Sequence, residues 1–266
     1  MILNGEHKGN YYLCEHNKIS KDRVNIVEQD EDKEITKPAD FDYSGGYLLE
    51  FDTYFDETNR FRSAVCDYPV NLKSPDWEGY DMTYIQNWIG TLEAKLTDDD
   101  IASTDYRDYL DIDSYIDYWF VFELMGNGEL NHPKSGYMYK DRDSSPKVDN
   151  KIHAGPIWDF DMSLPKPPFN EWAAINTLWY PFLFRDPVFV ERVKEKWNAQ
   201  KTGYQDMADT YIDALAARVK VSVERDIEMW EYEGDDGQLS FDEMMAKFKT
   251  YFTHRIAWMD TQINSW

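Results

Sequence analysis

The sequence predicts an α+β protein with a β-rich first part and a mostly helical remainder. Residues 1–70 contain short apolar or aromatic runs between turn residues, which is the pattern of strands. From about Tyr84 the apolar residues recur with helical spacing. No internal repeat and no Gly- or Ser-rich linker divides the chain, so we expect one unit or two tightly joined lobes.

Strands are predicted at three places in the first part of the chain. They cover residues 11–13, residues 24–27 and residues 45–51, and the last of them is expected to be a central strand that the chain enters through a flexible turn. Residues 28–42 are acidic, contain a proline and lack periodicity, which predicts a surface loop. Strand character returns at residues 137–139 and 152–160.

Helices are predicted over most of the remainder. A first apolar stripe contains Tyr84, Ile85, Trp88, Ile89, Leu92 and Leu96. A second helix follows Asp113, is apolar nearly all round and is therefore buried, and Gly126 suits its C-terminal cap. Further helices are expected near Pro187, over residues 211–230 and from Ser240, which forms a capping box with Glu243.

Composition excludes several classes of function. The 266 residues carry 28 Lys and Arg against 51 Asp and Glu, a net charge of −23, which argues against nucleic acid or an anionic membrane as the main partner. No run of about 20 apolar residues is present that would insert into a membrane. Two cysteines, Cys14 and Cys66, are too few for a disulfide scaffold or a cysteine-based zinc site, and their redox state stays open.

Two acidic segments are the candidate site. Glu129 lies in a Gly-Asn-Gly-Glu loop directly after the buried helix, where a rigid element can hold a functional residue. Asp159 and Asp161 alternate with Trp158 and Phe160 at a predicted strand end, so both carboxylates are expected on one face. Paired carboxylates repel each other unless they share a cation, and their oxygens suit Mg²⁺, Mn²⁺ or Ca²⁺.

Simpler interpretations compete with this one. An acidic chain contains Asp-x-Asp pairs by chance, and Asp111-Ile112-Asp113 is expected to cap a helix rather than to bind a metal. Glu129 is equally compatible with a plain turn residue. Abundant Trp and Tyr together with many carboxylates are also compatible with a carbohydrate-active protein, in which Glu129 and one of the two aspartates would flank a sugar.

Whole phrases of the chain resemble the CotH family of atypical protein kinases, named after spore coat protein H. The segments that carry the resemblance occur in the family's order and cover essentially the whole chain: residues 3–13, 15–18, 23–26, 45–50, 123–127, 133–141, 155–161 and 254–260.

The resemblance implies a two-lobed, kinase-like fold that binds ATP and Mg²⁺ or Mn²⁺ and transfers the γ-phosphate to protein hydroxyls. Residues 1–80 would be the β-rich portion of the N-lobe, lacking residues that precede it in the family, and residues 81–266 the helical C-lobe. By the same resemblance Glu129 is the catalytic carboxylate, Asp159 the main metal ligand, Asp161 a second ligand or its orienter and Ser135 a position of metal ligation. Nucleotide binding is assigned to Lys18, Lys134 and Glu50, the last as the group that orients a lysine.

Two positions depart from the family pattern. Glu129 stands where Asp is common and is longer by one methylene, and Ser135 stands where the family has Asn. These departures motivate the alternative of a catalytically inactive module for surface or coat assembly, or for carbohydrate-associated binding.

As a kinase, the acidic chain is expected to act on a basic, Ser- and Thr-rich protein. The protein is expected at a bacterial surface, outside the cell or on a spore. The N-terminal residues lack the pattern of a signal peptide, and the chain is expected to be a fragment. The oligomeric state stays open.

Overall fold

The computed structural model describes residues 1–161, 163, 169–230 and 239–266. Its strands are β1 Ile2–Leu3, β2 Glu6–His7, β3 Tyr47–Phe51, β4 Arg60–Arg62, β5 Pro69–Ser74, β6 Gly136–Lys140 and β7 Ile152–Ala154. Its α-helices are α1 Glu31–Thr36, α2 Thr83–Leu96, α3 Ile112–Met125, α4 Tyr180–Leu183, α5 Pro187–Asp206, α6 Ile212–Met229 and α7 Phe241–Ile263. The fold is therefore mixed α+β, with an N-terminal antiparallel sheet followed by a mostly helical part.

The chain forms two compact units. The larger contains residues 17–163 and 172–193, and the smaller contains the described residues of 1–16, 164–171 and 194–266. This division does not test the lobe boundary expected near residue 80, which stays a prediction. None of the helices in the described part of the chain combines the length and the apolarity needed to cross a membrane.

The larger unit contains a five-stranded antiparallel sheet in the order β4-β5-β3-β6-β7. β3 is its central strand and is buried throughout, as expected from its apolar run. Two positions before this strand require glycine. A Cβ on Gly45 would lie 2.0 Å from the backbone of Asp141, and Gly46 has a φ of 89°, which side chains other than hydrogen disfavour.

The two faces of the sheet have different chemistry. One face packs against the aromatic residues of the helical layer: Phe51 lies 5.4 Å from Trp179 between ring centroids, and the hydroxyl of Tyr115 in α3 reaches the sulfur of Met138. The opposite face starts with a small apolar cluster in which Leu48 and Tyr137 contact Ile19, Val24 and Ile26, with Trp158 packed against it. Beyond that cluster this second face is polar.

In the smaller unit α6 and α7 pack together, and α7 starts with the predicted capping box. The Ser240 hydroxyl accepts a hydrogen bond from the backbone of Glu243, whose carboxylate accepts one from the backbone of Ser240. Ion pairs join the two helices on their exposed sides, with Lys249 2.6 Å from Asp213. The sequence therefore predicts this helix start correctly.

Four predicted elements differ from the structure. The strand predicted over residues 152–160 ends at Ala154. Residues 11–13 are exposed and lie outside any strand, and residues 24–27 contribute only an isolated bridge between Ile19 and Val24. The acidic segment 28–42, predicted as a loop, contains the short helix α1. Its N-cap Asp30 accepts a hydrogen bond from the backbone of Lys33, and acidic residues in the first turn complement the helix dipole.

Candidate active site

The loop that carries Glu129 is fixed by the helix before it. Helix α3 starts at the N-cap Asp111 and buries most of its length, and Gly126 ends it with a φ of 59°. This left-handed C-cap is the conformation for which glycine pays no Cβ penalty, as the sequence predicts. The chain therefore leaves a rigid, buried helix immediately before the candidate residues.

Asn127 links the two acidic segments. Its side chain is 1% exposed, and its Oδ1 accepts a hydrogen bond from the backbone N–H of Glu129 at 2.8 Å. Its Nδ2 donates to the backbone carbonyl of Asp159 at 3.3 Å. Both ends of one buried amide thus hold the loop of Glu129 and the loop of Asp159 together.

Asp159 and Asp161 lie in a turn rather than at the predicted strand end. Strand β7 ends at Ala154, because Gly155 has a φ of 125° and Pro156 has no N–H to donate to a sheet. Asp159 has a φ of 62°, a left-handed conformation that Asp tolerates better than most residues. Phe160 anchors the turn by packing on Phe122 of α3, with ring centroids 4.8 Å apart.

The carboxylates of this turn interact unfavourably with one another. The pKa of Asp159 is raised from its ordinary value, first by partial loss of hydration, then by its hydrogen bond to Asp161 and the charge of that residue. The negative charge of Glu129 raises it further. Among the described residues no basic side chain forms an ion pair with Asp159 or Asp161. Within the described part of the chain, the fold therefore brings acidic groups together without a basic partner for them.

Ser135 connects this turn to the sheet. Its hydroxyl lies 3.3 Å from Oδ2 of Asp159 and lowers the pKa of that carboxyl, which opposes the other effects. Its backbone N–H donates at 3.1 Å to Oδ2 of Asp52, which is the residue directly after β3. Ser135 itself has a φ of 48°. It is thus held between Asp52 and Asp159 by both of its donors.

Lys134 lies beside Glu129. Its backbone N–H donates to the backbone carbonyl of Glu129 at 2.9 Å, and its ammonium lies 3.1 Å from the hydroxyl of Tyr54. The pKa of Lys134 is raised, first by the hydrogen bond to Tyr54, with further contributions from the charges of Glu129 and Asp52. Nε2 of His132 is 3.9 Å from the Glu129 carboxylate.

The lysine that Glu50 contacts is neither Lys18 nor Lys134 but Lys73. The Lys73 ammonium lies 3.5 Å from Oε2 of Glu50 and also contacts Glu57. A register shift between Leu48 and Leu49 leaves Lys73 as an extra residue in β5, and such bulges re-aim a side chain. Burial raises the pKa of Glu50 from its ordinary value. Lys18 is exposed and precedes the Ile19 bridge, and its carbonyl accepts a hydrogen bond from Val24.

The donor set fits a hard divalent cation together with a phosphate ligand. Asp159, Asp161 and Ser135 offer only oxygen atoms, as Mg²⁺ and Mn²⁺ prefer. In the described residues no group of three or more His, Cys, Asp or Glu side chains is arranged to hold a metal ion. Mg²⁺ in phosphoryl-transfer enzymes commonly takes one or two carboxylates and completes its shell with water and substrate phosphates. A pair of aspartates is therefore a sufficient protein contribution.

Three contributors to the site were missed by sequence reasoning. Asp52 and Lys73 are brought in by strand register, which a single sequence does not reveal. Asn127 offered a weak signal, because an amide between two glycines after a buried helix suits a polar anchor.

One family model matches the chain. It is described as CotH kinase protein and covers residues 1–259, nearly the full length. No curated protein matches the chain.

Proposed function

The chain belongs to the CotH kinase protein family, and on this premise we propose that it is a protein kinase that transfers the γ-phosphate of ATP to Ser or Thr hydroxyls. Membership in a kinase family implies the use of ATP. In this proposal the fold is a two-lobed kinase-like arrangement with the nucleotide held next to the sheet of the larger unit.

The observation that carries the proposal is the convergence of Glu129, Asp159 and Asp161 through the buried amide of Asn127. Phosphoryl transfer asks for little covalent chemistry from the protein, so catalysis comes from positioning and electrostatic stabilisation. A cluster of uncompensated carboxylates next to a rigid loop supplies both a place for a cation and a place for an incoming hydroxyl.

Each residue has a proposed role. Glu129 accepts or orients the proton of the acceptor hydroxyl. Asp159 and Asp161 hold Mg²⁺ or Mn²⁺, and Ser135 supports Asp159 and adds a hydroxyl oxygen. When bound, the metal neutralises charge on the phosphate oxygens.

The remaining proposed residues act on the nucleotide. Lys134 is next to Glu129 and places a positive charge beside the transferred phosphate. Glu50 orients the lysine that it contacts, Lys73, toward the nucleotide. Lys18 stays a proposed nucleotide ligand on the family pattern alone.

The acceptor is proposed to be a basic, Ser- and Thr-rich protein, because a chain with a net charge of −23 attracts positive partners at low ionic strength. We propose that the enzyme and its substrate lie outside a bacterial cell, on its surface or on a spore. Raising the salt concentration is expected to slow transfer to a basic acceptor.

The test is transfer of labelled phosphate from ATP, with Mg²⁺ or Mn²⁺, to a basic Ser-rich protein. Asp159→Asn and Glu129→Gln are each expected to lower kcat/KM by on the order of 10²–10³, the size of effect seen when one transition-state contact is removed. Both replacements keep size and shape, and Asn accepts the left-handed backbone of Asp159.

Asp99→Asn is the matched control. Asp99 is an exposed carboxylate after α2, so the same change in charge is made outside the site. Equal activity of the parent, the control and the two site variants would contradict the proposed roles. No transfer by the parent, together with no nucleotide-dependent change in its melting temperature, would favour the inactive-module alternative.

A further inference from the structure

The connection between strands β3 and β4 is tied to the loop of the candidate active site. The carboxylate of Asp52 accepts hydrogen bonds from the backbone N–H of Ser135, at 3.1 Å, and from that of Tyr54, at 2.7 Å. The backbone N–H of Thr53 donates to the carbonyl of Pro133 at 3.0 Å. These bonds fix the backbone of Tyr54 relative to the candidate active site.

The residue after Tyr54 is also held in place. Phe55 has a φ of 46°, a left-handed conformation that is unfavourable for an aromatic residue. The guanidinium groups of Arg60 and Arg62, both in β4, lie 5.4 and 5.5 Å from the centre of its ring. Residues in such a conformation persist only where their surroundings determine it, and they are concentrated at functional sites. The connection therefore presents Tyr54 from a fixed backbone.

The exposed ring of Tyr54 binds the ammonium group of Lys134. Tyr54 is 71% exposed, and Nζ of Lys134 lies 4.3 Å from the centroid of its ring and 3.1 Å from its hydroxyl. One tyrosine thus contributes a cation–π contact and a hydrogen bond to the same cation. Two contacts of different geometry define the position of a flexible lysine more closely than either does alone.

This position keeps the ammonium group apart from two neighbouring carboxylates. The negative charges of Glu129 and Asp52 both act on Lys134. Within the described part of the chain, however, Lys134 forms no ion pair with either of them. A lysine paired with Glu129 would neutralise the carboxylate that the proposed reaction uses to accept or orient a proton. A lysine held by Tyr54 leaves that carboxylate available.

We propose that Tyr54 is a positioning residue for phosphoryl transfer, an inference that rests on the function proposed above. Its ring and hydroxyl hold the ammonium group of Lys134 apart from Glu129 and direct it at the phosphate groups of ATP. Tyr54 acts through Lys134 and makes no contact with the nucleotide. A cation that is ordered before the nucleotide binds contributes more to binding, because less freedom is lost when the contact forms.

The first measurement concerns the free protein. Aromatic rings shift the NMR signals of protons above their faces, so the ε-methylene protons of Lys134 are expected upfield of those of exposed lysines. Tyr54→Leu is expected to return these signals to ordinary positions, whereas Tyr54→Phe, which keeps the ring, should retain most of the shift. Lys134→Met assigns the signals, because it removes them.

The second measurement is the affinity of the full chain for ATP in the presence of Mg²⁺. Tyr54→Leu is expected to weaken binding about tenfold, because both contacts to Lys134 are lost, and Tyr54→Phe less, because the cation–π contact remains. Lys134→Met should weaken binding to a similar extent as Tyr54→Leu. In the Lys134→Met background, Tyr54→Leu should have no further effect, since a residue that acts only through Lys134 cannot act without it. A loss of folded protein would change the amount of ATP bound but not the dissociation constant.

Tyr12→Leu is the matched control. Tyr12 is 92% exposed and lies in the smaller unit, whereas Tyr54 lies in the larger one. The same exchange of side chains is therefore made at an exposed tyrosine that has no proposed role. This variant is expected to keep both the dissociation constant for ATP and the shifted signals of Lys134.

The outcomes separate the two proposals. If the parent chain does not bind ATP, the proposed kinase function fails, and the inference that rests on it fails as well. If the parent binds ATP but Tyr54→Leu weakens binding equally with and without Lys134, Tyr54 contacts the nucleotide itself and only its positioning role is overturned. That role is also overturned if Tyr54→Leu leaves the dissociation constant unchanged, or if the Lys134 signals of the parent are not shifted.

Discussion

Two Asp-x-Asp segments of the same unit have opposite electrostatic surroundings. Asp111-Ile112-Asp113 starts α3, and Asp159-Phe160-Asp161 forms the turn after β7. Both segments show the same Asp-x-Asp pattern with an apolar residue in the middle, so the sequence alone distinguishes them only weakly. The structure separates them by what each carboxylate contacts.

The first pair is compensated. Asp111 accepts a hydrogen bond from the backbone of Ser114 at 2.8 Å, and Nδ1 of His153 lies 3.5 Å from it. Although burial acts against ionisation, the bonds from His153 and Ser114 hold the pKa of Asp111 down at about 2. Asp113 forms a two-point ion pair with Arg192, at 2.7 and 2.8 Å.

In the second pair, Asp159 contacts the Ser135 hydroxyl and the Asp161 carboxylate instead of a basic side chain. Its pKa is raised, first by partial loss of hydration and then by Asp161. The difference teaches that the Asp-x-Asp pattern carries no function by itself. A pair whose charge is satisfied within the fold supports structure, whereas a pair that the fold leaves uncompensated is available to an external cation.

The largest expected effect comes from exchanging the second carboxylate of each pair for an amide. Mg²⁺ and ATP at 100 times the dissociation constant are expected to stabilise the parent by about 2.7 kcal/mol, which thermal unfolding detects. Asp161→Asn should lose most of this ligand-dependent stabilisation, and Asp113→Asn should keep it. If Mg²⁺ and ATP raised the melting temperature of both variants equally, the proposed difference between the two aspartate pairs would be wrong.

The next effect concerns stability without ligand. Asp111→Ala removes an N-cap and one partner of His153, so it is expected to lower the free energy of unfolding by about 1–2 kcal/mol. Asp159→Asn should leave the stability of the free protein unchanged or raised, because it removes repulsion. Denaturant unfolding of both variants measures this contrast, and a destabilised Asp159→Asn would argue that its charge is structural.

A smaller effect is predicted for the pH dependence of stability. His153 is stacked on Tyr139, and its Nε2 contacts Asp149 at 2.7 Å. Burial works against its protonation, but hydrogen bonds and charges from Asp111 and Asp149 outweigh burial and raise its pKa. Its contribution is therefore complete below the unfolded pKa of about 6.5 and is lost as the pH rises through the raised folded value.

His153→Gln is expected to flatten this part of the stability profile, measured by unfolding between about pH 5.5 and 8.5. In acid the sign reverses for Asp111. Its depressed pKa stabilises the fold above the unfolded value and this contribution is lost as the pH falls toward about 2. An unchanged profile in His153→Gln would show that the imidazole does not bridge the two carboxylates in solution.

The smallest effect is expected at Asp113. Arg192→Met keeps the apolar stem and removes the guanidinium of a half-exposed ion pair, for which a loss of about 1 kcal/mol or less is usual. Kinase activity should not change. A loss of several kcal/mol in unfolding experiments would mean that the first pair depends on compensation more strongly than the contacts suggest.

Local patterns predicted the parts of this fold that depend on local interactions. The buried helix, its capping by the segment Asp111-Ile112-Asp113, its Gly126 end and the Ser240–Glu243 capping box follow from spacing and cap chemistry, although the helix starts at Ile112 rather than after Asp113. The buried central strand follows from its apolar run. The carboxylate loops could also be found in the sequence, although their roles stay proposals.

The rest depends on contacts between distant parts of the chain. The Lys73–Glu50 pair follows from a bulge in β5, and the Asp52–Ser135 contact joins residues 83 positions apart. Residues 24–27 have strand-like alternation but pack as a loop against Leu48 and Tyr137. Tertiary packing decides these outcomes, and the register between two strands cannot be read from a single sequence.

The left-handed backbone at Asp159 has a consequence for how this site tolerates change. In a strand, inserting one residue reverses which face every later side chain occupies. Because β7 ends at Ala154 and a turn presents Asp159, the direction of its carboxylate does not depend on that parity. A change in loop length between the sheet and Asp159 is therefore expected to leave the direction of this carboxylate unchanged, as long as Phe160 stays packed on Phe122.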